Sequence, residues 1–311
     1  MAKVEKIIIA CYNGDFWQTK ICVASIRHWY PDIPIFLLKD YLKGDFPTAE
    51  MEEKLNVSVI DLKRKKFGWG VSKFEPYYFD KRERVLILDS DIIFVGPVLD
   101  RVEQFDEDFV LSCEFPEDPH AVWFKETYYD LKKLQETLDP DFQYPGYVFN
   151  TGQLVCHTGL FKPEDFRDFV DYGGEVPVIK HNSVLACADQ GILNYLLPTM
   201  EREGKVTIKA DLYQIWSKSD LAKTFDLAEI KKGGGYPYMI HWAGDHSRCI
   251  RFLQRPDLLW FFQEQYYKRL PLGELKRRYF NADRLVTHYW NRLLKLYVNP
   301  FIVKYFGKSK S

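Results

Sequence analysis

The sequence has little that suits an oxidising compartment or a membrane span. Its six cysteines (Cys11, Cys22, Cys113, Cys156, Cys187, Cys249) show no C-x-x-C spacing, and four of them sit in apolar runs, where a thiol acts as a small hydrophobe. This predicts reducing, cytoplasmic surroundings rather than a disulfide framework. The N-terminal stretch MAKVEKIIIACYNGD has only about five apolar residues in succession, too few for a signal-peptide core or a membrane span. Internal repeats and low-complexity segments are absent too. With 46% hydrophobic and 28% charged residues, disordered and fibrous classes are set aside. The 311 residues suffice for one large α/β domain plus an appendage.

Net charge is also nearly lacking, at −1, but it is unevenly spread. From Lys268 to Ser311 there are 11 Lys and Arg against 2 acids, so this tail carries +9 and residues 1–267 carry −10. Such a tail predicts an acidic surface as partner. Within it, NADRLVTHYWNRLLKLYV (281–298) puts Leu285, Tyr289, Leu293 and Tyr297 on one helical stripe, with Arg284, His288, Arg292 and Lys295 largely off it. A basic amphipathic helix rich in aromatics fits an anionic membrane surface, and equally a helix packed on its own domain; the charge favours the membrane. Nucleic acid is not an expected partner.

What the chain does have is a succession of apolar runs separated by helical patterns. VEKIIIACY (4–12) reads as a buried parallel strand broken by Asn13-Gly14-Asp15. A helix follows from Phe16 to Tyr30, then strands at 33–40 and 56–62, the opening of a parallel sheet. A helix over 72–80, the run RVLILDSDIIFV, a strand at 108–114, a long polar and aromatic excursion to about 145, a bent strand at 147–157, a helix over 183–197 and a short strand at 238–244 complete the pattern.

LILDSDIIF (86–94) is the unusual element, because Asp89 and Asp91 interrupt an apolar strand. Residues i and i+2 can share one ligand only if the strand ends between them and the chain turns. Oxygen ligands there suit Mg²⁺ or Mn²⁺, completed by a pyrophosphate, at the strand end where open α/β sheets bind ligands. An EF-hand is excluded by Ile93, Phe94 and Val95 where further ligands and a Gly are needed. Two other schemes stay open on the motif alone: a Mg²⁺-dependent phosphatase of haloacid dehalogenase type, and a sugar nucleotidyltransferase, although the first strand has a single Gly after it.

Six motifs taken together narrow this. The first strand ending in Asn13, SKFEPYYF, LILDSDIIF, FNTGQLV, ADQGILN and HWAG occur in this order over about residues 6–248. In this the chain resembles family 8 of the glycosyltransferases, the group containing glycogenin and bacterial lipopolysaccharide galactosyltransferases, which have the GT-A fold. The resemblance implies a Rossmann-like mixed sheet flanked by helices over residues 1–262, followed by a basic helical extension over 263–311. It implies that Asp89, Asp91 and His241 ligate Mn²⁺ (or Mg²⁺), an imidazole beside two carboxylates shifting preference toward Mn²⁺. Cys11, Tyr12 and Asn13 would lie against the nucleoside, Ser90 would offer its backbone to the ribose, and Lys73 and Gly244 would reach the donor. Asn150, Asp189 and Gln190 would surround the transferred sugar, with Asp189 or Gln190 as a nucleophile or neither in a front-face path.

Each residue also has a plainer reading. His241 alone would be an ordinary core histidine, Asp189 a helix N-cap, and Asn150 and Gln190 turn or cap residues. Trp69, Trp123, Trp216 and Trp242 could stack on sugars, but most aromatics are core. One departure stands out: where the family carries a Lys six residues after its metal histidine, this chain has Ser247, with Arg248 next and Arg251 beyond. Arg248 is therefore the expected pyrophosphate residue. The function expected is a metal-dependent, retaining glycosyltransferase moving a hexose from a UDP-sugar to a glycan or lipid-linked acceptor, cytoplasmic and peripheral on the inner face of a membrane. A non-catalytic sugar-nucleotide-binding module is the alternative beside the phosphatase.

Overall fold

The computed structural model describes residues 3–68, 70–244, 247, 249–294 and 296. Thirteen strands are present among them: β1 Lys6–Tyr12, β2 Ile35–Asp40, β3 Val57–Val59, β4 Arg84–Asp89, β5 Ile92–Phe94, β6 Phe109–Glu114, β7 Val148–Phe149, β8 Gln153–His157, β9 Val170–Asp171, β10 Val178–Ile179, β11 Ile208–Asp211, β12 Gln214–Trp216 and β13 Met239–His241. The main sheet runs β3-β2-β1-β4-β8-β6-β11, with β7 paired to the end of β6. β1 is parallel to β2 and β4, and β11 is parallel to β6; β8 lies antiparallel between β4 and β6. The sheet is therefore mixed.

Alternation along β1 explains why its run is apolar throughout. Ile7 and Ile9 face a cluster with Val23 and Ile26 of the helix Phe16–Trp29, while Ile8 faces the opposite cluster with Phe74, Tyr77 and Leu193. Both faces are covered, so both parities of the strand must be apolar. The helix Pro256–Tyr267 packs beside Phe16–Trp29 and buries Leu258, Phe262 and Tyr266. The expected boundary between residues 262 and 263 falls inside this helix, and burial continues to Leu270.

Several sequence expectations are corrected. The strand at 56–62 pairs only over Val57–Val59, because Asp61 turns the chain by accepting the Lys63 amide. The segment expected as a helix over 72–80 is a 3₁₀ helix, Val71–Tyr78; Pro76 inside it has no N–H to donate. The helix expected from 183 begins only at Asp189, because Cys187 and Ala188 take positive φ values of 54° and 52°. Its N-cap position is Ala188, not Asp189. The final helix starts earlier than its stripe suggested, at Gly273, and runs to Leu293; Tyr297 of that stripe, and Lys295 beside it, lie outside the described residues. Among the described residues, no helix is long and apolar enough to cross a membrane.

Candidate functional site

The run LILDSDIIF divides into β4, ending at Asp89, and β5, starting at Ile92. The chain turns at Ser90-Asp91, and β5 leaves the main sheet to join a small one of order β12-β13-β5. In that sheet His241 is in register with Ile92, and the pairing extends through the Trp242 amide donating to the Asp91 carbonyl at 3.1 Å. Register alone therefore brings a histidine beside the second aspartate. Asp89, Asp91 and His241 have ligand atoms within 4.8 Å of one another, and Nε2 of His241 is 3.1 Å from Oδ1 of Asp91.

The histidine is held from two sides. Trp216, opposite it on β12, stacks on the imidazole at 5.4 Å and 23°, and its indole N–H donates to Glu114 at 2.6 Å. On the other side Gly152 leaves just enough room, since a Cβ there would lie 2.4 Å from Cε1 of His241. Nδ1 of His241 is buried without a hydrogen-bond partner among the described residues. Two half-buried carboxylates and an imidazole nitrogen fit a divalent cation that accepts both oxygen and nitrogen ligands.

Lys73, on the 3₁₀ helix, is buried and joins the carboxylates. Its ammonium is 3.0 Å from Asp89 and 2.9 Å from Asp189, and it donates to the Thr151 carbonyl at 3.0 Å. Burial works against its charge, but Asp189 and Asp89 hold its pKa above that of an ordinary lysine. Burial raises the Asp189 carboxyl above the usual carboxylate range, and Lys73 opposes that without cancelling it. Asp189 can come so close because Gly70, at φ +78°, has no Cβ, which would lie 2.0 Å from Oδ1. Burial alone would raise Asp91, and His241 with Lys73 brings it below the usual carboxylate range.

Asn150 and Gln190 form a closed amide pair. Asn150 Nδ2 donates to Gln190 Oε1 at 2.7 Å, Gln190 Nε2 donates to the Thr127 carbonyl at 2.9 Å, and Asn150 Oδ1 accepts from the Gly152 amide at 2.9 Å. Asn194 secures the same turn by exchanging hydrogen bonds with the Phe149 backbone.

Beside these groups a cleft of about 500 Å³ opens at the C-terminal ends of β1 and β4. Of the residues expected from sequence, Cys11, Tyr12, Lys73, Asp89, Ser90, Asp91 and Gly244 line it. Asn13 does not; it is exposed and donates to the Lys43 carbonyl. His241, Asn150, Asp189 and Gln190 are buried behind the lining rather than in it. Arg248 lies outside the described residues, as does Trp69, and Arg251 faces a different cavity. Trp242 is core, while Trp123 is exposed.

Two lining carboxylates were missed. Asp15, read only as part of a chain break, accepts the Tyr12 amide at 2.9 Å. Burial, with Asp91 and Asp89 nearby, pushes its pKa up to about 7 against hydrogen bonds from Ser90 and Tyr12. Asp40, at the end of β2, accepts the amides of Leu42, Phe67 and Gly68 and so ties the loop before Gly70 to the sheet. The signal available for both was position, an acid just after an apolar strand.

No family model matches the sequence, and no curated protein matches it. Solved structures do. The bifunctional glycosyltransferase WbbM, in its apo form, aligns with TM-score 0.56 at 14% identity, over 91% of this chain and 52% of that one. The chain thus spans about half of WbbM. The galactosyltransferase LgtC, in complex with donor and acceptor sugar analogs, aligns with TM-score 0.53 at 17% identity, over 88% of this chain and 99% of that one. The fold is GT-A. At these identities the likeness speaks for the fold, and activity has to be argued from the site.

Proposed function

We propose that the protein is a metal-dependent, retaining glycosyltransferase of the family 8 type, moving a hexose from a UDP-sugar to a glycan or lipid-linked acceptor. The observation that carries this is the meeting of Asp89 and Asp91, which line a cleft at the strand ends, with His241 buried behind them, in a fold shared with LgtC, a galactosyltransferase solved with donor and acceptor sugar analogs. In this reading Asp89, Asp91 and His241 hold Mn²⁺, which when bound neutralises the diphosphate and the charge left on the departing nucleoside diphosphate. Cys11 and Tyr12 line the nucleoside end, and Ser90 faces the ribose. The charged Lys73 stands between the diphosphate and Asp189, and Asn150 with Gln190 presents amides to the sugar hydroxyls. Arg248 supplies the remaining pyrophosphate contact.

Calorimetry with Mn²⁺ and UDP-hexoses tests it. Binding that needs Mn²⁺ and disappears in Asp91→Asn is expected; absence of binding for every UDP-sugar sinks the reading. One observation favours a second reading, a sugar-nucleotide-binding module without turnover: Asn150, Asp189 and Gln190 are buried and already bonded. Release of UDP from a UDP-hexose in the presence of acceptors separates the two.

The same reading has the protein cytoplasmic and peripherally held on an anionic membrane face. Support comes from the +9 tail and from the helix Gly273–Leu293, which exposes Leu275, Tyr279, Val286, Tyr289 and Trp290. Tyr289→Ser with Trp290→Ser should lower co-sedimentation with phosphatidylglycerol vesicles, and an unchanged bound fraction removes the membrane role.

A further inference from the structure

A second cavity, of about 450 Å³, lies between the helix Pro256–Tyr267 and the helix Gly273–Leu293. Its walls are of two kinds. Ile250, Trp260 and Phe280 supply apolar surface, and Arg251, Arg277 and Arg284 supply guanidinium groups. Among the described residues no carboxylate lines it. Arg277 is bonded to Glu274 through two contacts of 2.9 and 3.0 Å, and Arg284 lies 5.0 Å from the centre of the Phe280 ring. Arg251 is exposed and has no hydrogen bond or ion pair with a described residue.

A free phosphate would leave the apolar walls unused, and a plain hydrocarbon would leave the guanidinium groups unused. A planar guanidinium fork matches phosphate oxygens, and the walls favour hydrocarbon. The location adds a constraint. Ser247 lines the donor cleft and Cys249 lines this cavity, and the two are joined by the Cys249 amide donating to Ser247 Oγ at 3.3 Å. From Ser247 to Arg251 the chain can span no more than roughly 14 Å. A molecule anchored here by one end can offer its other end to the cleft.

We infer that this cavity binds the phosphate ester of an apolar chain, the carrier end of a lipid-linked acceptor whose sugar end reaches the donor cleft. The acceptor role rests on the glycosyltransferase reading; the binding itself does not. The full chain is titrated calorimetrically, without Mn²⁺ or nucleotide, with dodecyl phosphate below its micelle concentration, with inorganic phosphate and with dodecyl maltoside. Saturable binding of dodecyl phosphate is expected, at least about tenfold tighter than either other probe. Arg251→Ala should weaken it by about tenfold, and Trp260→Ala should weaken dodecyl phosphate without creating affinity for inorganic phosphate. Inorganic phosphate binding as tightly would reduce the cavity to a free-phosphate site, and dodecyl maltoside binding as tightly would reduce it to an apolar groove; either overturns the inference. So does unchanged affinity in both Arg251→Ala and Arg251→Glu. Donor binding with Mn²⁺ is measured separately: if it fails while dodecyl phosphate binds, the site stands and its acceptor role falls.

Discussion

Gly152 lacks a side chain because the space is already taken. A Cβ would lie 2.4 Å from the His241 ring and 2.7 Å from Oδ1 of Asn150. Gly152→Ala must therefore push the imidazole away from Asp91 or open the Asn150 turn. Mn²⁺ affinity should fall by about 10–100-fold, the usual cost of disturbing a ligand's support, read from the free-ion signal in electron paramagnetic resonance. Undiminished affinity would mean that His241 is not a ligand or that the site relaxes freely. A glycine at the edge of a strand often marks close approach by a ligand or another part of the chain; what approaches Gly152 is a histidine from a distant strand. Asp15 shows the same limit. Its surroundings come from Ser90 and the strand-end acids, which no local pattern places beside it.

The 3₁₀ helix Val71–Tyr78 exists at the element scale to deliver one ammonium group. All but one of its residues are buried, and Lys73 is the cation that lets Asp89 and Asp189 approach each other. Lys73→Met leaves two carboxylates facing each other with Asp189 buried. Breaking such a buried pair should cost about 3–5 kcal/mol, measured by urea denaturation, and Mn²⁺ should restore part of the loss by drawing Asp89 to the metal. A variant as stable as the parent would show that Asp189 is neutral in the fold. The apolar strands were legible because burial on both faces forces continuous hydrophobic runs, as in β1 and β4. The antiparallel pairing of β13 with β5 was not, since only tertiary register sets His241 against Ile92. The start of the helix at Asp189 was missed for a related reason: the positive φ values at Cys187 and Ala188 fall where the Ala186 amide donates to the Tyr128 carbonyl and the Gly191 amide donates back to the Ala186 carbonyl, tertiary pairing that no local propensity signals.

Across the whole molecule, the GT-A sheet and the acidic strand ends can be read in the first 267 residues, whereas the way the C-terminal helices close the fold cannot. The helix Pro256–Tyr267 was not expected from the sequence, and its partner is set by three-dimensional packing: His28 of the first helix sits edge-on to Phe261 and Phe262, at 5.5 and 5.7 Å. Burial depresses the His28 pKa below its usual 6.5, with Arg269 adding to the effect and a backbone bond to Ile230 opposing it. A histidine with a lowered folded pKa binds fewer protons when folded than when unfolded, so its contribution to stability is complete above the unfolded pKa. That contribution is lost as pH falls below about 6.5. Protonation must then either expose the contact or place a charge against two phenyl rings. His28→Phe removes the titration while keeping an aromatic ring in place. Between about pH 7.5 and about pH 5.5 the parent should lose more in Tm than His28→Phe does, followed by circular dichroism at matched ionic strength. Equal losses would assign the acid sensitivity to other groups and leave the seam between the first helix and Pro256–Tyr267 without a pH-dependent role.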